Sequence, residues 1–137
     1  MNERFLLDTD VCSFIIKGTH PFLDVRLREL SKEQILISAV TRAELRFGLA
    51  KRPDAIRLAG LVEDFLGRVI TLPWDAAAAD TYGQVRARLE KAGTPIGEHD
   101  TMIAAHALAE NILLVTHNVN HFKQVEGLRW VTWNKRD

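Results

Sequence analysis

One cysteine, one tyrosine, four prolines and no surplus of either charge mark this 137-residue chain, and each shortage excludes something. Cys12 has no second cysteine to pair with, so there is no internal disulfide and the chain suits a reducing compartment. Eighteen Lys and Arg offset eighteen Asp and Glu. Bulk charge therefore announces no nucleic-acid partner, and any hold on a polyanion has to come from a local group of cations. No apolar run approaches the roughly 18 residues of a membrane-spanning helix. Met1-Asn2-Glu3-Arg4 ahead of a short apolar stretch is not a signal peptide, so no membrane association and a cytoplasmic location are expected. No repeat, low-complexity tract or Pro/Gly-rich linker divides the chain, and residues 1–137 read as a single domain.

What is present is ordinary globular material, 47% hydrophobic and 26% charged, patterned as short apolar strands between amphipathic helices. Phe5-Leu6-Leu7, Ile35-Leu36-Ile37, Val69 to Leu72 and Leu113 to Thr116 read as four buried strands, with Arg129 to Trp133 as an edge strand. Helices are expected from Asp10 to Lys17, stopped by Gly18, and from Pro21 with Phe22, Val25 and Leu30 on its inner side. Ser38 to Lys51 should form a helix with an apolar stripe of Val40, Ala43, Phe47 and Gly48, and Pro53 to Gly67 another with the proline in its first turn. Asp75 caps a long alanine-rich helix to about Lys91, and Gly97 leads into a last helix with Ile103, Ala104 and Ala107 inward. Strands alternating with helices through short turns predict an α/β fold: three α/β/α layers around a central, mostly parallel sheet of four to five strands.

Three carboxylates stand out against that pattern. Asp8 ends the first strand, and in open α/β sheets the ligand crevice lies beyond the carboxyl ends of the strands. Glu44 falls on the apolar stripe of its helix, where a carboxylate is costly unless paired or bound to a metal. Asp100 precedes Ile103, Ala104 and Ala107 by three, four and seven residues and so shares their face. Carboxylates gathered at one rim repel one another, and a hard divalent cation with oxygen ligands, Mg2+ or Mn2+, resolves the repulsion. Hydrolysis of a phosphodiester is the reaction such a set suits. His117 and His121, four apart, lack a third ligand nearby, which argues against zinc. Arg42, Arg46, Lys51, Arg52 and Arg57 cluster around the segment bearing Glu44 and are candidates for contact with an RNA backbone, Arg42 and Arg46 first.

The runs Phe5-Leu6-Leu7-Asp8-Thr9, Thr41-Arg42-Ala43-Glu44-Leu45-Arg46-Phe47-Gly48 and Asp75-Ala76-Ala77-Ala78-Ala79 with Gln84-Val85-Arg86 follow one another in a familiar order. So do Ile96-Gly97 with Asp100 and Ile103-Ala104-Ala105-His106-Ala107, and Leu114-Val115-Thr116 with Asn118 and Phe122. Together they resemble the PIN-domain ribonucleases, specifically the VapC toxins of type II toxin-antitoxin systems that cut initiator tRNA in its anticodon loop. The resemblance implies a PIN-like fold and a magnesium-dependent endoribonuclease that inhibits translation until a VapB-type antitoxin binds it, as a homodimer within a toxin-antitoxin complex. It makes Asp8, Glu44 and Asp100 catalytic, with Asp8 and Asp100 the main metal ligands and Glu44 a further one. The family often has a fourth acid where this chain has Asn118, a neutral oxygen ligand, which leaves open one metal or two. Two other readings stay beside it. Asp8-Thr9-Asp10 after an apolar strand also resembles the start of a HAD-type phosphohydrolase with Asp8 as nucleophile. A PIN module that only binds RNA or an antitoxin is the non-enzymatic alternative.

Overall fold

The computed structural model describes residues 2–134. Five short strands, β1 (Phe5–Leu7), β2 (Ile35–Ser38), β3 (Ile70–Leu72), β4 (Leu113–Val115) and β5 (Trp130–Val131), form one sheet in the order β3-β2-β1-β4-β5. Every pairing is parallel, which upholds the expected sheet at five strands. Eight residues or more of helix separate most strands: α1 (Thr9–Lys17), α2 (Pro21–Arg28), α3 (Ala39–Ala50), α4 (Ile56–Arg68), α5 (Ala76–Lys91) and α6 (Glu98–Glu110), with a short α7 (Val119–Phe122) before β5. No helix is long and apolar enough to cross a membrane among the described residues.

The period-two alternation of the strands sorts the core into two layers. Leu7, Ile35, Ile37 and Val115 face a cluster with Val11, Ile15, Leu23, Leu27 and Phe65, from α1, α2 and α4. Leu6, Leu36 and Leu114 face Val85, Leu89, Ile103, Ala104 and Ala107, from α5 and α6. Both faces of the sheet are therefore covered, which is why its strands carry almost no polar residues. The chain runs β1, β2, β3 outward in one direction and then returns to set β4 on the other side of β1. The strand order thus reverses between β1 and β4, and the Asp8 N–H bonds the Val115 carbonyl across that junction at 3.1 Å. In open α/β sheets such a reversal is where the ligand crevice lies.

Local signals held where they were strongest. Gly18 caps α1 in the left-handed region (φ 70°), and its N–H and that of Thr19 close the helix on Ile15 and Phe14. Asp75 caps α5 by accepting the Ala78 N–H at 3.1 Å. Three helix faces differ from expectation. In α2 the buried residues are Leu23 and Leu27, while Val25 is 57% exposed. In α3 the buried positions are Val40, Thr41 and Leu45, whereas Ala43 is exposed and Phe47 is 64% exposed beneath the Lys51 ammonium. This helix leaves the sheet at an angle, so Val40 joins the α5–α6 layer while Leu45, further along, joins the opposite one. In α4 the helix begins only at Ile56, and Pro53 lies in the preceding turn. Cys12 is fully buried and burial pushes its thiol well up, so it is a core residue and no nucleophile.

Candidate active site

The crevice is built by segments that each deliver a polar side chain at their turn away from the core. Asp8 follows β1 directly and caps α1, its Oδ1 accepting the Val11 N–H at 2.9 Å. It is only 3% exposed, and burial pushes its pKa up to about 6; the Thr116 hydroxyl and the Val11 N–H oppose that rise, and the charges of Asp10 and Asp100 add to it. Thr116 stands at the end of β4, across the reversal point from Asp8. Asp100 comes from the first turn of α6, which Gly97 allows to begin by taking φ 92°, a region costly to other residues. Glu44 comes from the middle of α3.

Each of the two less buried acids is held by neutral or basic neighbours rather than by an arginine. The Thr41 hydroxyl lies 3.0 Å from Thr9 Oγ1, and Thr9 donates to Glu44 Oε1 at 2.6 Å. His99 Nδ1 lies 3.1 Å from Glu44 Oε2. His121 Nδ1 lies 2.9 Å from Asp100 Oδ2 and equally 2.9 Å from the Asn118 amide nitrogen. With Nδ1 donating to the Asp100 carboxylate, the Asn118 amide sits against the same ring edge. Thr9, Thr41, Thr116, His99 and His121 were not singled out by sequence as parts of this site. A threonine directly after Asp8, a histidine in the first turn of α6 and another in the short α7 beyond β4 were the faint signals.

Structure corrects two sequence readings here, those of Glu44 and of the arginines. Glu44 sits beside the buried Thr41 rather than on a stripe with Ala43 and Phe47. Arg42 and Arg46 do not line the crevice: Arg42 donates to Thr71 Oγ1 at 3.0 Å, and Arg46 forms an ion pair with Glu63 of α4. The groove that does lead away from Glu44, about 340 Å³ between α1, α3 and α4, carries Lys17, Lys51 and Arg52. His117 and His121 do not converge, since His117 Nε2 donates to the Trp133 carbonyl at 2.7 Å while His121 turns to Asp100.

The donor chemistry fits a hard divalent cation. Burial raises the Asp8 pKa and the charge of Asp100 adds to the rise, a cost that a nearby cation relieves, and the Asn118 amide beside His121 and Asp100 offers a neutral oxygen ligand. As the side chains stand, no three of the described His, Cys, Asp and Glu residues form a ready-made ion cage, so binding requires rotation of Asp100 or Glu44 away from its histidine.

Residues 5–128 match the PIN domain family. The chain is 39% identical over 131 residues to the tRNA(fMet)-specific endonuclease VapC of Shigella flexneri, covering 96% of this chain and 98% of that protein. It is 34% identical to the ribonuclease VapC2 of Rickettsia felis over 96% of this chain and 98% of the relative. The chain belongs to the VapC family of PIN-domain proteins. Among solved structures, the DNA-bound VapBC complex of Salmonella typhimurium superposes with a TM-score of 0.89 at 36% identity, covering 97% of this chain and all of that one. The DNA-bound VapBC2 of Rickettsia felis gives 0.88 at 32% identity over 95% of this chain and 98% of that one. The PIN-domain match, over residues 5–128, spans β1, α3, α6 and β4, the segments from which or just beyond which Asp8, Glu44, Asp100 and Thr116 come.

Proposed function

We propose that this chain is a VapC toxin acting in the cytoplasm: a magnesium-dependent endoribonuclease, folded as one PIN domain, that cuts RNA and is silenced by a VapB-type antitoxin. The observation that carries the proposal is the buried Asp8 at the strand-order reversal, pushed up to about 6 with Asp100 close enough to add to the shift. Asp8 and Asp100 would hold the cation, with Glu44 and the Asn118 amide as further ligands, and Mn2+ would serve in place of Mg2+. A cation bound there supplies Lewis acidity towards a phosphate oxygen and lowers the pKa of water. The chain's own residues orient the rest. Thr9 and His99 hold Glu44 by one carboxylate oxygen each, and Lys17, Lys51 and Arg52 neutralise the RNA backbone entering the groove beside Glu44. Initiator tRNA, the substrate named for the Shigella flexneri relative, is the proposed target, cut in the anticodon loop.

Incubation of the purified chain with total tRNA, with and without magnesium, followed by sequencing of new RNA ends, tests this. One dominant cut that needs the metal and disappears in Asp8→Asn is expected; uncut RNA in both conditions would refute the enzyme and leave a binding module. The phosphohydrolase reading has less support, because Asp10, its general acid, is exposed on α1 whereas Asp8 is buried. Phe47 and Ile56, 64% and 82% exposed on α3 and α4, are apolar side chains on which an antitoxin would land. Ile56→Asp should weaken co-purification of the antitoxin while leaving tRNA cleavage by the free toxin in place. Full retention of the complex would move the interface elsewhere.

A further inference from the structure

On the other side of Asp8 from the groove, four aromatic rings meet that nothing above employs. Phe14 of α1 stacks on His20 with centroids 4.1 Å apart and planes 25° apart. Phe22 stands edge-on to His20 at 5.6 Å. His117, from the β4–α7 loop, lies 5.7 Å from Phe14, 5.8 Å from His20 and 6.3 Å from Phe22, nearly parallel to the last at 21°. All four are half-buried, so the cluster breaks the surface instead of filling the core.

Its place ties it to the acids. Phe14 belongs to the helix that Asp8 caps. His117 is flanked by Thr116, whose hydroxyl acts on Asp8, and by Asn118, which reaches the His121 bound to Asp100. The rings are also polar in a specific way. The carbonyl of Trp133 accepts from His117 Nε2, which leaves Nδ1 of the neutral ring as a free acceptor. Thr19 Oγ1 lies 2.8 Å from His20 Nδ1 and holds that ring in place. Beside them Arg26 lies 5.4 Å from the Trp133 ring, and no carboxylate pairs with it among the described residues. Half-buried rings at the surface, an acceptor nitrogen on His117 and a cation without a carboxylate partner among the described residues form a set that a greasy partner surface does not need and an unpaired nucleotide uses.

We propose that Phe14, His20, Phe22 and His117 form a stacking platform for one unpaired nucleobase next to the phosphodiester cut at Asp8 and Asp100, with Arg26 on its phosphate. This rests on the ribonuclease reading and adds to it a positioning site on the side away from the cationic groove. The substrate strand would then cross the acids between two holds, which orients the scissile phosphate more tightly than cations alone.

The test uses an initiator-tRNA anticodon hairpin with 2-aminopurine at one loop position at a time, bound to the cleavage-deficient Asp8→Asn chain. Stacking should quench the fluorophore at one loop position. Phe22→Leu, which keeps an apolar side chain, and His117→Gln, which can still donate to the Trp133 carbonyl, should each remove the quench and weaken binding roughly tenfold or more. Unchanged thermal melting would certify the fold of both. Should the hairpin bind, or be cut by the unmutated chain, with no quench or with a quench that both variants keep, the platform is overturned while the ribonuclease stands. Should the unmutated chain cut neither this hairpin nor total tRNA, both fall together.

Discussion

Asp8 is a carboxyl that water hardly reaches, and its ionisation is a cost to the fold. With a pKa near 6 against an ordinary 3.8, the folded state holds a proton that the unfolded chain has released between those pH values. The penalty is absent below about pH 4, grows as pH rises and is complete above about pH 6.5, at about 3 kcal/mol. Asp8→Asn should therefore melt several degrees higher than the unmutated chain at pH 8 without metal, with the gap closing towards pH 4. Adding magnesium at pH 8 should raise the melting temperature of the unmutated chain and barely move the variant. A variant that melts lower at pH 8 would mean that Asp8 is not the strained group described here. At the same scale, Asn118→Asp restores an anionic oxygen beside His121 and Asp100. It should tighten Mn2+ binding measured by titration calorimetry, and weaker binding would remove residue 118 from the ligand set.

At the scale of the element, α3 is the piece whose placement matters most, because it carries Glu44 while touching both layers of the core. Ser38 fixes its start: Oγ accepts the Val40 N–H at 3.1 Å and lies 2.8 Å from Nδ1 of His106, a buried ring of α6. While it accepts the Val40 N–H, the Ser38 hydroxyl keeps its proton to offer to Nδ1 of a neutral His106. Burial lowers the His106 pKa, consistent with that role. Ser38→Ala removes a helix cap and strands a buried nitrogen, and should cost about 1–3 kcal/mol in urea unfolding. It should also slow RNA cleavage under conditions where the chain is fully folded, because Glu44 rides on the loosened helix. Loss of stability with cleavage unaffected would uncouple the cap from the site. The ends of α1 and α5 were legible from Gly18 and Asp75 because caps are chosen by residues a few positions away. The buried face of α3 was not, since a helix crossing from one layer to the other has no single stripe for a 3.6-residue period to reveal.

Taken whole, the molecule has no net charge, so it exerts little long-range pull on RNA and has to bind through the few cations near its acids. Lys17, Lys51 and Arg52 in the groove and Arg26 beside the rings are four. Each contact to a single strand releases about 0.7 of a counterion, so log affinity against log salt should fall with a slope between about −2 and −3. A filter-binding series in sodium chloride reads it. A slope steeper than about −5 would mean that Arg42, Arg46 or other charges join in, against their engagement with Thr71 and Glu63.

The amino-acid sequence alone determined the succession of strands and helices and set Asp8 just beyond a strand, because both follow from periodicity and capping over a few neighbouring residues. It also carried, as residues in order, the match that places the chain among the VapC proteins. Only the tertiary structure decided which side chains meet: His99 with Glu44 across 55 residues, His121 with Asp100 across 21, and Arg46 with Glu63 instead of with the acids. Those meetings depend on how helices lie across the sheet and across one another. Side-chain reach is a few ångströms, so a modest change in crossing angle exchanges one partner for another, and no local pattern records that angle.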